Sequence, residues 1–287
     1  MMLETSASEQ SAAPTFRKLF FRNKGASIGL VIFLVIAFLA LAAPILFPFD
    51  PFSNVGAPFE KPFSSFLLGT DQLGRDVAAG LAHGARTSLL LALLATFVSL
   101  CVGTLLGCLS GYYGGWVDQL LMRITEFFQT IPSFVFAIVL VAIMQPSIES
   151  IVIAIAVVTW PPIARLVRGE MLTIRRREFV EACICLGMRD AQIIFREILP
   201  NILSPIIVTG SLMVATAILI ESALAFLGLG DPNIMSWGFM IGAGRSFLRD
   251  AWWLCAIPGL AILLTVLSIN LIGEGLNDAL NPRLRKM

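Results

Sequence analysis

From about residue 28 onward, long apolar runs alternate with short polar stretches. Six runs stand out, at about 28–47, 88–110, 127–145, 151–168, 206–226 and 251–273. Charged residues are nearly absent from them, so the alternation of a half-buried surface helix is not the pattern here. Roughly 18–20 apolar residues carry a helix across a hydrocarbon core of roughly 30 Å. The predicted fold class is all-α, a polytopic membrane protein with six transmembrane helices. The first run is too long for a signal peptide, and no small-residue cleavage site follows before Pro44.

Composition agrees with the pattern. Hydrophobic residues make up 57% and charged residues 14%, with a mean hydropathy of +0.86. A soluble domain carries about a quarter charged residues. The net charge of +1 is uninformative; the placement of the charges is not. With the N-terminus inside, fifteen basic residues fall on the inner side: Arg17, Lys18, Arg22, Lys24, Arg123, seven from Arg165 to Arg196, and Arg283, Arg285 and Lys286. Only Lys61, Arg75, Arg86, Arg245 and Arg249 fall outside. That bias predicts an N-in, C-in topology. It divides the chain into a cytoplasmic segment 1–27 and a transmembrane domain 28–287, with an outer loop at 48–87 and a cytoplasmic loop at 169–201.

The outer loop is irregular at first, with Pro48, Pro51, Pro58 and Pro62 among five phenylalanines. From Asp71, Leu73, Val77 and Leu81 recur at helical spacing, which predicts an amphipathic helix lying at the outer surface. A platform for a solute-loaded binding protein is the alternative reading. His83, the single histidine, lies on that segment and is read as a polar interfacial residue. Five cysteines are scattered without ligand spacing and read as small apolar residues; no metal site is expected. Glu221 is the one acid deep in a span, about 22 Å from Ile206 at ~1.5 Å per residue. It is either a lining group of a translocation pathway or an acid held against a neighbouring helix. Arg123 and Glu126, three apart, read as a local ion pair.

The chain holds no nucleotide-binding motif, since its lysines are Lys18, Lys24, Lys61 and Lys286 and none follows a glycine. No catalytic cluster is visible either, so the chain is not expected to be an enzyme or to carry its own cofactor. No nucleic-acid partner is expected.

The 169–201 loop is the exception in so apolar a chain. Good helix formers from Arg175 to Phe195 are broken once, at Gly187, which predicts two short helices joined at a glycine turn. Pro200 is expected to end the second. Glu178, Ala182 and Cys185 share one face of the first helix, and Phe179, Cys183 and Leu186 share the next. Either the loop rests on anionic lipid, or a partner covers those faces.

Glu181-Ala182-Cys183, Gly187 and Leu199-Pro200 resemble the EAA loop of ABC-importer permeases, with Cys183 where a second alanine is usual. Ile198-Leu199-Pro200-Asn201 is similar to the peptide/nickel branch of that family. So are Leu68-Gly69-Thr70-Asp71 with Gly74-Arg75-Asp76, Phe226 to Gly230, Ser236-Trp237-Gly238, Ala251-Trp252-Trp253 and Asp278 to Leu284. The chain thus resembles the second, shorter permease of dipeptide/oligopeptide/nickel-type ABC importers. The resemblance implies a type I importer fold and a place in the bacterial inner membrane, as half of the pathway for peptides or related small polar solutes. The implied partners are a homologous six-helix permease, two cytoplasmic ATPases that bind ATP and Mg, an extracytoplasmic solute-binding protein and membrane lipid. Glu178, Glu181, Ala182, Cys183, Gly187, Leu199 and Pro200 are implied to dock the loop on an ATPase. A secondary transporter or channel working without ATPases is the alternative reading.

Overall fold

The computed structural model describes residues 16–280, which are helical apart from turns, loops and one isolated bridge between Thr70 and Asp76. The basic C-terminal tail and the proline motif at 281–284 lie outside the described residues. A short α1 (Phe16–Arg22) leads into α2 (Lys24–Leu46). α2 begins where it does because the Asn23 side chain accepts the Ala26 N–H at 3.1 Å. The same side chain donates to Asp278 at 3.0 Å, which ties the start of the chain to its last helix.

α3 (Val77–Tyr113) is an unbroken 37 residues. At ~1.5 Å per residue it measures about 55 Å, so it overshoots a hydrocarbon core of roughly 30 Å. Its cap is Asp76, which accepts the Ala78 N–H at 2.8 Å. The expected separate amphipathic helix from Asp71 is therefore not formed. The Asp71 carboxylate instead accepts the N–H groups of Leu73 and Arg75, at 2.8 and 2.9 Å, and closes a tight turn. Val77 and Leu81 already belong to the long span.

The third span also differs from the straight helix expected over 127–145. α4 (Gly115–Thr130) and α5 (Ser133–Met144) meet at an angle of 85°. The cause is Pro132, which offers no N–H and holds Ile131 in extended backbone, at φ −90° and ψ 130°. α6 (Ile148–Ile174) opens with a reciprocal cap between Ser147 and Ser150.

After α7 (Glu178–Cys185), the chain enters one continuous helix, Asp190–Phe226. It comprises α8 (Asp190–Gln192), a π turn at Ile193–Ile198 and α9 (Leu199–Phe226). Pro200 does not end a helix, contrary to expectation. The π turn loosens the backbone in front of it, with the Leu199 N–H donating five residues back to the Ile194 carbonyl. The Asn201 side chain takes the Glu197 carbonyl at 2.6 Å. α10 (Trp237–Gly244) packs between α9, α3 and α11 (Trp253–Leu280). Among the described residues, five helices are long and apolar enough to cross a membrane, or six if the bent α4–α5 pair counts as one span.

Small residues set the helix contacts. On α3, Gly103, Gly107 and Gly111 recur every fourth position and face α6. A Cβ on Gly107 would lie 2.6 Å from the Ala164 carbonyl oxygen, and one on Gly111 2.6 Å from the Met171 Cβ. Lipid supplies no hydrophobic drive between helices, so such close backbone approach is what binds them. One apolar core runs through the middle of the bundle, and a second lies at the end that carries α7.

Candidate functional site

α7 splits cleanly into an inner and an outer face. Val180 is 0% exposed and inserts between α3, α6 and the π turn, beside Met171, Ile193 and Ile194. Cys183 and Met188 pack partly against the same core. Facing outward are Glu178, Glu181, Ala182, Ile184, Cys185 and Leu186, the last 81% exposed. The helix ends in a paired hydrogen-bond turn. The Gly187 N–H donates to Ile184 at 2.9 Å, and the Met188 N–H donates to Cys183 at 3.2 Å. That geometry puts Gly187 at φ +73°, with nothing within 4 Å of where a Cβ would stand. Leu199 and Pro200 lie apart from this surface, on the continuous helix and about one turn beyond the start of the π turn.

The loop is tied to the long helix below it. The Tyr112 hydroxyl at the end of α3 donates to Asp190 at 2.9 Å. Arg175 lies over the Tyr112 ring, 5.6 Å from its centroid. One turn away, Arg168 of α6 grips Asp118 of α4 with two hydrogen bonds, of 2.5 and 2.6 Å, and Ser110 of α3 donates to the same carboxylate. Two of the seven arginines of this region thus hold helices together, while Arg165, Arg176, Arg177, Arg189 and Arg196 are exposed without such a contact. Arg123 and Glu126 do form the expected local pair, at 3.3 Å on the surface.

Glu221 belongs to another site, inside the subunit. It is 1% exposed. The Ser236 hydroxyl, which caps α10, donates to it at 2.7 Å, and Ser222 donates at 3.3 Å. Ser88 of α3 meanwhile accepts the Trp237 N–H at 3.2 Å. The acid is thus buried where α10 meets α9, with its carboxylate taken up by hydroxyls. His83 is also engaged within the chain, donating from Nε2 to the Phe47 carbonyl at 3.0 Å where α2 ends.

An open cleft lies elsewhere, under the α4–α5 bend. It measures ≈ 460 Å³ and is mostly apolar, with Phe128, Ile131, Val158 and Met213 among its walls, but Gln129, Ser133, Thr159, Thr209 and Thr216 also line it, and no charged side chain does. Sequence reasoning passed over these residues. The signal was Ile131-Pro132 in the middle of an apolar run, which breaks a helix and frees polar groups beside it.

Residues 103–286, more than half of the chain and including α7, the cleft and the glycine ladder, match the family described as the inner membrane component of binding-protein-dependent transport systems. The chain belongs to this family of ABC-importer permeases. Residues 15–62 of the permease also match the N-terminal transmembrane domain of oligopeptide transport permease C. It is 42% identical over 278 residues to the di/tripeptide transport system permease DppC of Pseudomonas aeruginosa, covering 94% of this chain and 92% of that one. It is 40% identical to the oligopeptide transport system permease OppC of Haemophilus influenzae, covering 93% and 87%. It is 38% identical to the glutathione transport system permease GsiD of Pectobacterium atrosepticum, covering 94% and 92%. Among solved structures, the MetNI methionine ABC transporter in an inward-facing form shares the fold, with a TM-score of 0.57 at 18% identity, covering 68% of this chain and 93% of that one. The permease is thus a multi-pass protein of the bacterial inner membrane.

Proposed function

We propose that this permease forms one half of the pathway of an importer for peptides or related small polar solutes, with both termini in the cytoplasm. α7 is its coupling element. Its outer face, with Glu178, Glu181, Ala182, Cys185 and Leu186, fits a groove on a cytoplasmic ATPase, and that ATPase supplies the ATP and Mg chemistry. A second, homologous permease completes the pathway, and an extracytoplasmic binding protein delivers the solute. The cleft under the α4–α5 bend is the stretch of pathway contributed by this chain. Its hydroxyl and amide groups can exchange hydrogen bonds with a peptide backbone, and the absence of fixed charge there avoids trapping a zwitterion.

One observation carries the coupling reading. α7 is anchored by Val180 yet presents Leu186, 81% exposed, to water beside two glutamates. An anchored helix with an uncovered apolar and acidic face is built to be covered. The test is Leu186→Glu in the permease co-expressed with its operon partners. The ATPases should separate from the purified complex, and ATP hydrolysis should stop responding to solute-loaded binding protein, while membrane insertion is kept. Unchanged ATPase retention and stimulation would instead place α7 on the lipid surface.

A further inference from the structure

α2 and α3 leave an open groove between them, of ≈ 330 Å³, with a floor from α9. Phe33, Ala37 and Leu41 form one wall, Leu90 and Leu93 the other, and Val214 the floor; Arg86 stands at one end. That end lies beside the C-terminus of α2, because the ring of His83, less than one turn from Arg86, holds the carbonyl of Phe47, the residue that follows α2. Arg86 therefore lies where the apolar part of α2 stops, at the membrane boundary opposite the arginine-rich loop. From there to Leu93 the groove descends about 10 Å, at ~1.5 Å per residue, into the hydrocarbon. The Arg86 side chain is exposed, and among the described residues it takes part in no ion pair or hydrogen bond. An exposed guanidinium at that boundary is free to take an anion, and a phosphate offers it two oxygens in matching geometry.

We propose that this groove is a binding site for one anionic phospholipid. An acyl chain lies along Leu90, Leu93 and Phe33, and the phosphate rests on Arg86. Charge complementarity favours a lipid over a helix of the partner permease, which would bury the guanidinium unpaired.

The experiment uses the full chain co-expressed with its partner subunits, in nanodiscs of phosphatidylglycerol and phosphatidylethanolamine in equal amounts with identical acyl chains. Native mass spectrometry reads the lipids retained. The wild type should keep phosphatidylglycerol over phosphatidylethanolamine by about fivefold, the weight of one basic residue at an anionic surface. Arg86→Gln should bring that ratio close to one, and Ala37→Phe, which fills the groove, should remove the retained lipid of both kinds. An equal preference in wild type and Arg86→Gln would overturn the proposal. So would displacement of the lipid by free glycerophosphate, or cross-linking of a cysteine at Leu90 to the partner permease.

Discussion

Gly187 shows how much rests on one backbone angle. Its φ of +73° closes α7 and turns the chain toward the next helix, and nothing lies within 4 Å of where a Cβ would stand. The main cost of a valine there is backbone strain, of order 1–3 kcal/mol for a β-branched residue in that region. Asparagine tolerates the conformation far better. Gly187→Val should therefore uncouple ATP hydrolysis from the loaded binding protein while Gly187→Asn largely preserves it, as measured by stimulated ATPase rates at equal membrane insertion. This glycine was legible in the sequence because it interrupts a run of helix formers. Val180 was not. In α7 the residues Phe179, Val180, Cys183 and Ile184 are all apolar, as is Leu186 just after it, so eight positions cannot reveal which one faces inward. Glu221 was legible as an anomaly in its span, but the Ser236 hydroxyl that engages it comes from a loop whose path no periodicity describes.

Among the elements, the α3–α6 contact carries the clearest consequence. Gly107→Val would push side-chain carbons against the Ala164 carbonyl, already 2.6 Å from a first Cβ. Backbone cannot yield as a flexible side chain does, and overpacking at such a site costs typically 1–3 kcal/mol or more. The expected outcome is a lower thermal midpoint in detergent and loss of folded protein in the membrane. Gly169→Ala, with nothing within 4 Å of the new carbon, should leave both unchanged. The Gly-x-x-x-Gly spacing was present in the sequence and is a known device of membrane helices. It is easily passed over, because within an apolar run glycine looks like part of the background. The order of the spans was legible, and five of the six expected runs form helices long and apolar enough to cross a membrane. The ends of the spans were not legible, since α3 and α9 continue as helices beyond their apolar stretches, and a proline divides the third span.

At the scale of the whole molecule, the uncovered surfaces are the informative ones. The uncharged cleft opens at the α4–α5 bend, α7 faces outward, and the buried core accounts for neither. Glu221 gives no argument for a missing partner, because its hydrogen bonds are made inside the chain. The cleft and α7 do give one. Native mass spectrometry of the co-expressed operon products should show one copy of this permease, one of a homologous permease and two ATPase subunits. A transport-competent homodimer of this chain alone would contradict that arrangement.

The unbroken α3 has the reach of a lever. One of its ends is capped beside the folded 47–76 loop, and the other carries Tyr112, which holds Asp190 at the edge of the α7 turn. A rod of about 55 Å, from ~1.5 Å per residue, that tilts by about 5° about one end displaces the other by roughly 5 Å, close to one helical turn. A small tilt at either end of α3 becomes, at the opposite end, a movement as large as the side chains that grip it.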